Sequence, residues 1–497
     1  MIKSIPHKQY AEIKALVPAV ISYIRDRLGI VTREQQQSEL EKILVKACEK
    51  FQVTPKAYLA MLMSSTKQSP LLEHLVSAVT VGETYFFRDK RQMQLLQQTL
   101  LPNLIQSKRQ QNNLSLRIWS AGCASGEEIY TIAMLLAELL PDIEHWTLQL
   151  LGTDINETAL KKAIAGVYTE WSMRSIAAHW QKKYFIQQDK HYYLQEHIRR
   201  AVTFNYLNLT ESVYPSMLNG TNAQDLILCR NVLIYFDQVH IAEVMKKFSA
   251  ALLTNAWLIL GASDPVVIQH TPFIFHQEMG LVFSRGELPL PKLALQKDSV
   301  PLATRPAVSL PPRTRIKADK NATLVLLEQL VTAENWQAVL PLITEQGTEL
   351  PVTLQAKYKA MALANMGKLT EALVLLTDTL ALEPTNRDCH FLSALVLLEL
   401  GDTKAAEFAL RKTLFIDHQY VFAHYQLGLL LVRNKQWAQG LKSLHNALAI
   451  TRQHESDLEV PGAKSMTYGS LVDTLTHEID LYQSLGKKED THENAYK

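Results

Sequence analysis

The stretch Leu116–Glu128, "LRIWSAGCASGEE", decides how the middle of the chain folds. An apolar run ends at Gly122, a short turn carries Gly126, and Glu127 and Glu128 open the amphipathic segment "EEIYTIAMLLAELL". That is the signature of a buried strand, a tight turn and a helix. Working outward, "LQLLGTD", "VTFNYLNL", "DLILCRN" and "WLILGAS" read as further buried strands, with "HIAEVMKKFSAALL" as a helix among them. Short apolar runs alternating with longer amphipathic ones imply a mostly parallel sheet covered by helices.

On the N-terminal side, Tyr10, Ile13, Leu16, Val17, Val20, Ile21, Ile24 and Leu28 recur at helical spacing, and Leu40, Ile43, Leu44, Ala47 and Phe51 repeat the pattern. Residues 1–85 are therefore expected to form a helical domain and 86–286 the α/β domain, with an antiparallel β insert at about 183–204. Residues 287–320 hold prolines without sustained periodicity and read as a semi-extended linker. Beyond it, small residues recur every 34 positions at Ala338, Ala372, Ala406 and Gly440, with a second series at Ala360, Ala394 and Gly428. A 34-residue period with small residues on both helices of each unit predicts tetratricopeptide (TPR) repeats over 321–454, the first degenerate. Pro384 closes the best unit, whereas His418 and Arg452 stand at the matching positions of the next two. A C-terminal helix and tail fill 455–497.

With 497 residues, 47% hydrophobic and 20% charged, the chain can build several cores, and a formal charge of +2 gives no global bias toward nucleic acid or a membrane surface. Cys48, Cys123, Cys229 and Cys389 show no paired spacing for a metal site or a disulfide framework, which suits a reducing compartment. No segment approaches the apolar length of a membrane span, and the N-terminus has no apolar core of signal-peptide type. The expectation is a cytoplasmic protein without bound metal, nucleic acid or membrane insertion.

The glycine turn after the first strand suggests a nucleotide-like cofactor, because glycine lets backbone approach a ligand closely. The spacing is G-x-x-x-G, and the helix starts with carboxylates where a pyrophosphate would need an unopposed positive helix end, so a dinucleotide fits poorly. S-adenosylmethionine, with a ribose but no phosphate, fits better; Asp154 in "LLGTDIN" is placed to accept from ribose hydroxyls. Acidic residues at a helix start also stabilise its dipole with no ligand present, which leaves Glu127 and Glu128 open. Asn231 and Tyr235 in "DLILCRNVLIYFD" follow a strand end, where ligand crevices of open α/β sheets lie. Asparagine and tyrosine there also suggest adenine methylation, but no basic cluster for DNA accompanies them.

The motifs together resemble the CheR family, glutamate O-methyltransferases acting on bacterial chemoreceptors. "ETYFFRD" is similar to its T-x-F-F-R signature, "IWSAGCASGEEIY" to its cofactor loop, "TDI" to its ribose turn, and "FNYLNL" and "CRNVLIYFD" to two later signatures. The resemblance implies an N-terminal all-α bundle, a Rossmann-like S-adenosylmethionine-dependent methyltransferase domain and, as in some members, C-terminal TPR repeats. It also implies that Thr84, Arg88, Glu128, Asp154, Asn208, Leu209, Arg230 and Asn231 line the cofactor site, with Glu127 an adjacent candidate, and that Arg88 and Tyr235 face the methyl acceptor. Chemoreceptor methylation helices are the implied substrate, and the TPR groove would take an adaptor, a signalling protein or the catalytic domain itself. A non-catalytic cofactor-binding scaffold, and methylation of a small molecule or nucleic acid, are the competing readings. Gly82 replaces the family's asparagine, and Ser263–Asp264 stand where the family has His-Ser-Glu. The insert "KKYFIQQDKHYYLQEHIRRAVTF" lacks the glycine-rich loop of members that dock on a receptor's C-terminal pentapeptide, so no such docking is expected.

Overall fold

The computed structural model describes residues 7–32, 36–64, 69–80, 82–211, 213–266, 271–276, 281–286, 320–332, 336–346, 350–460 and 466–495. The proline-bearing linker therefore lies almost entirely outside the described residues.

Four helices form the N-terminal domain: α1 (His7–Leu28), α2 (Gln37–Phe51), α3 (Pro55–Met63) and α4 (Pro70–Val79). The last two begin in the same way, with Thr54 and Ser69 as side-chain caps and a proline at the first helical position, where its missing N–H costs nothing. The expected periodic residues Ile13, Val17, Val20, Ile24, Leu40, Leu44 and Ala47 make one buried cluster. A short bridge between Ile30 and Phe236 joins this domain to the next, with Val31 N–H donating to Tyr235 O at 2.7 Å.

After α5 (Lys90–Leu95) and α6 (Leu101–Gln110), the central domain runs β1 (Ser115–Ala121), α7 (Glu127–Leu139), β2 (Thr147–Asp154), α8 (Glu157–Ala165), β3 (Val167–Thr169), α9 (Glu170–Met173), α10 (Ala178–Tyr184), β4 (Phe185–Gln188), β5 (His191–Leu194), α11 (Glu196–Arg200) and β6 (Val202–Tyr206). It closes with β7 (Gln224–Cys229), α12 (Gln238–Ala251), β8 (Leu252–Leu260), β9 (Phe273–Phe275) and β10 (Val282–Arg285). The main sheet has the order β6-β2-β1-β7-β8-β10-β9; its first five strands are parallel and β10 is antiparallel to both neighbours. The order reverses at β1, where Ser120 pairs with Gly152 on one side and Leu228 on the other. A crevice opens at such a point beyond the carboxyl ends of the strands. The insert is a three-stranded antiparallel sheet, β3-β5-β4. It differs from the expected hairpin at both ends: β3 joins from upstream, and Val202–Phe204 belong to β6, since a period-two pattern does not say which sheet a strand enters.

The C-terminal part consists of helix pairs: α13 (Lys320–Thr332) with α14 (Trp336–Gln346), α15 (Val352–Asn365) with α16 (Leu369–Leu382), α17 (Arg387–Glu399) with α18 (Thr403–Ile416), and α19 (Val421–Arg433) with α20 (Trp437–Thr451), followed by α21 (Tyr468–Ala495). The small residues sit where helices touch: a Cβ on Gly440 would stand 2.9 Å from Gly428 O, and Ala360, Ala372, Ala394 and Ala406 are fully buried. Helices α17 and α19 rest on the central domain, on the side of the amino ends of β1 and β2. There Arg117 Nη1 meets Glu399 Oε2 at 3.0 Å with both side chains buried, Gln426 Nε2 donates to Leu218 O at 2.6 Å, and Met217 packs among the repeat side chains.

Candidate active site

A cavity open to solvent, about 1090 Å³ with its mouth included, lies at the carboxyl ends of β1, β2 and β7, with Leu28, Ile30 and Val79 of the N-terminal domain on one side. Its wall brings together Thr84, Arg88, Glu128, Asp154, Asn208, Leu209, Arg230, Asn231 and Tyr235 from segments up to about 150 residues apart.

The floor is the turn after β1. Gly122 has φ +78°, and a Cβ there would come within 2.4 Å of Val232, so any side chain would push the β1 turn off the β7 turn. Gly126, at φ +88°, precedes α7. Asp154, the last residue of β2, accepts from Ala124 N–H (2.8 Å) and Asn156 N–H (2.8 Å), which fixes its carboxylate in the wall. Burial pushes its pKa up, opposed by those same backbone bonds.

The two glutamates opening α7 separate. Glu127 turns away from the cavity into a buried site, accepting from Ser125 Oγ (2.8 Å) and Ser172 Oγ (2.9 Å), and burial raises its pKa. Glu128 lines the cavity, accepts from Ser120 Oγ (2.7 Å) and pairs with Arg230 Nη1 (3.1 Å). Arg230 is a buried strut as well as a wall residue: its Nε donates to Gln92 Oε1 (2.7 Å) and its Nη2 to Arg88 O (2.6 Å). It thereby clamps the Thr84–Arg88 loop to the end of β7. Asn208 likewise spends its amide on the scaffold, donating to Arg27 O (3.1 Å) and accepting from Thr210 N–H (3.0 Å).

The "TYFFRD" loop divides its labour. Phe86 is buried edge-on against Tyr168 and Phe185, and Phe87 packs on Trp180, so these two rings anchor the loop; Thr84, Tyr85 and Arg88 face the cavity. Arg88 Nη1 donates to Glu83 O at 2.6 Å. Phe87 and Asp89 have φ of 57° and 65°, conformations that cost L-residues roughly 1–2 kcal/mol each. The aromatic anchors hold them there.

Sequence reasoning treated Asp264 only as a departure from a family pattern. Its buried carboxylate accepts from Asn231 N–H (2.6 Å), Gly261 N–H (2.8 Å) and Ile234 N–H (3.2 Å), holding Asn231 at φ 60° and the turn that carries Tyr235. An acid three residues after Gly261, the glycine that follows β8, was the available signal. Gln92 and Ser172 were also missed, since their partners lie far off in sequence.

A parallel sheet with its crevice at β1, a carboxylate closing β2 and no glycine-rich pyrophosphate turn make this an S-adenosylmethionine-dependent methyltransferase site. The cavity's acceptors suit a ribose and a cationic donor, and Ile155, Leu209 and Phe236 supply apolar wall for a base. Residues 82–279 match the family description "CheR methyltransferase, SAM binding domain". The chain is 33% identical over 257 residues to the chemotaxis protein methyltransferase of Borreliella burgdorferi, covering 50% of this chain and 87% of that one. It is 34% identical over 206 residues to chemotaxis protein methyltransferase 2 of Vibrio cholerae, covering 41% and 69% respectively. The chain belongs to the CheR family of chemotaxis protein methyltransferases, enzymes that methylate protein glutamates with S-adenosylmethionine. Among the described residues, no helix is long and apolar enough to cross a membrane.

Proposed function

We propose that the protein methylates glutamate side chains on the helices of a chemoreceptor from the cytoplasmic side, with Arg88 and Tyr235 facing the acceptor and Thr84, Glu128, Asp154, Asn208, Leu209, Arg230 and Asn231 forming the cofactor wall. The observation that carries this reading is the convergence of all nine residues on one cavity. S-adenosylmethionine supplies a methyl group on a sulfonium. A glutamate carboxylate, with a usual pKa of about 4.3, arrives already ionised, so no proton acceptor is needed. A carboxylate oxygen held there would take the methyl carbon, the electron pair of the broken carbon–sulfur bond remaining on sulfur. What this chain must do is align the carboxylate and exclude water. Arg88 grips one carboxylate oxygen, the Tyr235 side chain orients the other, and Leu28, Ile30 and Val79 give the cavity an apolar side.

For the repeats, the Met217–Leu218 turn already occupies part of the face made by the first helices, so a protein partner entering there competes with the chain's own methyltransferase domain. Incubation with methyl-labelled S-adenosylmethionine and the host's receptor-containing membranes tests the enzyme assignment. Base-labile label on a receptor-sized protein supports it; label only in a small-molecule product rejects it.

A further inference from the structure

Just outside the cavity, the short helix α9 and the residue after it build a lip that the reaction described above does not use. Trp171 is 62% exposed, yet its ring is not loose. The Arg174 guanidinium lies 4.1 Å from the Trp171 ring centre and 3.7 Å from that of Tyr85, so one cation is stacked against two aromatic rings. Arg174 Nη1 donates to Trp171 O (2.6 Å) and Nη2 meets Glu83 Oε1 (3.1 Å). Phe86 N–H donates to Ser172 O (3.0 Å), which fixes α9 to the loop whose Glu83, Tyr85 and Arg88 line the cavity. The lip is thus rigid and continuous with the site.

A surface tryptophan held by stacking instead of burial has already lost the side-chain freedom that binding would otherwise remove, and such residues dominate interface energies. Arg174 is shared with an exposed carboxylate, Glu83, and an ion pair in that setting contributes only about 0–1 kcal/mol. An incoming carboxylate can therefore take the place of Glu83 at little cost.

We propose that Trp171 and Arg174 form the docking lip for the methyl-accepting polypeptide: its apolar helix face rests on Trp171, and a second carboxylate, beside the reacting glutamate, pairs with Arg174. This rests on the reading of the cavity as a protein-glutamate methylation site. The occupant follows from continuity with the cavity mouth and from charge, since a partner that offers one carboxylate to Arg88 is the one to offer another to Arg174.

The test measures methyl transfer by the full-length protein to a purified methylation-helix fragment of a chemoreceptor from the same host, alongside calorimetric binding of S-adenosylhomocysteine. W171A and R174E are expected to raise KM for the fragment about tenfold or more while kcat and S-adenosylhomocysteine affinity stay within about twofold. R174K keeps the charge and should recover much of the loss. A fragment with lysine in place of the neighbouring carboxylate should restore R174E. Unchanged KM in both variants, with wild-type transfer intact, overturns the lip. Parallel loss of S-adenosylhomocysteine binding assigns Trp171 and Arg174 to loop support and also overturns it. Wild-type self-association that W171A abolishes, with transfer unaltered, gives the lip to a second copy and overturns it. No transfer by the wild-type protein fails the function reading itself, and the lip with it.

Discussion

Asp264 offers the sharpest test of how the site is held. Its carboxylate receives three backbone N–H groups from the ends of β7 and β8 and from the turn that carries Tyr235. Bonds to a charged acceptor contribute about 1.5–3 kcal/mol each, and a buried donor left without one costs about 1–3 kcal/mol. The three share one acceptor and relax together, so D264A is expected to lose about 3–5 kcal/mol of stability. D264N keeps the shape but replaces one acceptor oxygen with a donor facing N–H, at about 2 kcal/mol. Asn231 then loses what fixes it at φ 60°, and both it and Tyr235 move off the cavity wall. If about 1.4 kcal/mol of that reaches the transition state, D264N transfers methyl about tenfold more slowly. Urea unfolding, S-adenosylhomocysteine calorimetry and initial rates on the same preparation read all three effects. Wild-type values for D264N in every assay would refute the claim that this carboxylate organises the site.

Other outcomes follow from the same geometry. Y235F should lower kcat by about ten- to a hundredfold with cofactor affinity unchanged, because a hydroxyl that orients the acceptor acts after the cofactor is bound; a change in cofactor affinity alone would place Tyr235 elsewhere in the mechanism. Glu127 has its pKa raised by burial, so the native state binds its proton more tightly than the unfolded chain does. Its contribution is fully present below the usual carboxylate range and is lost as pH rises through the raised value. E127Q should therefore gain stability relative to wild type as the pH is taken upward from about 4, and a gap that is flat with pH counts against it. E399A leaves Arg117 buried without its carboxylate and should cost about 3–5 kcal/mol at the repeat seat, read as faster amide exchange in Met217–Asn222; unchanged exchange there would mean that the pair does not hold the array.

The layout of the chain was legible because its periods are long and unlike one another. Helical spacing in residues 10–51, apolar strands ending in glycine or acid, and a 34-residue recurrence of small residues each translate into one kind of packing. The cavity residues were legible where chemistry and position coincide, as at Asp154 and Asn231. Periodicity could not show how side chains are shared between scaffold and site. Glu127 and Glu128 are neighbours in sequence, yet one faces Ser172 and the other the cavity, because successive helix positions point about 100° apart and only the packed helix decides which of them meets the cavity. The amides of Asn208 and the guanidinium of Arg230 are spent on partners up to about 180 residues away. The Arg117–Glu399 pair joins two domains whose separate patterns say nothing of each other.

The central claim is that the crevice beyond β1, β2 and β7 holds a methyl donor against a carboxylate presented by another polypeptide. The most direct measurement is transfer of tritiated methyl from S-adenosylmethionine to a receptor methylation-helix fragment, followed by mild alkali and collection of volatile methanol. Tritiated methanol, lost in R88A and absent when the fragment's glutamates are replaced by glutamine, is the expected result. Label that resists alkali, or alkali-labile label that persists on the glutamine fragment, would contradict the account.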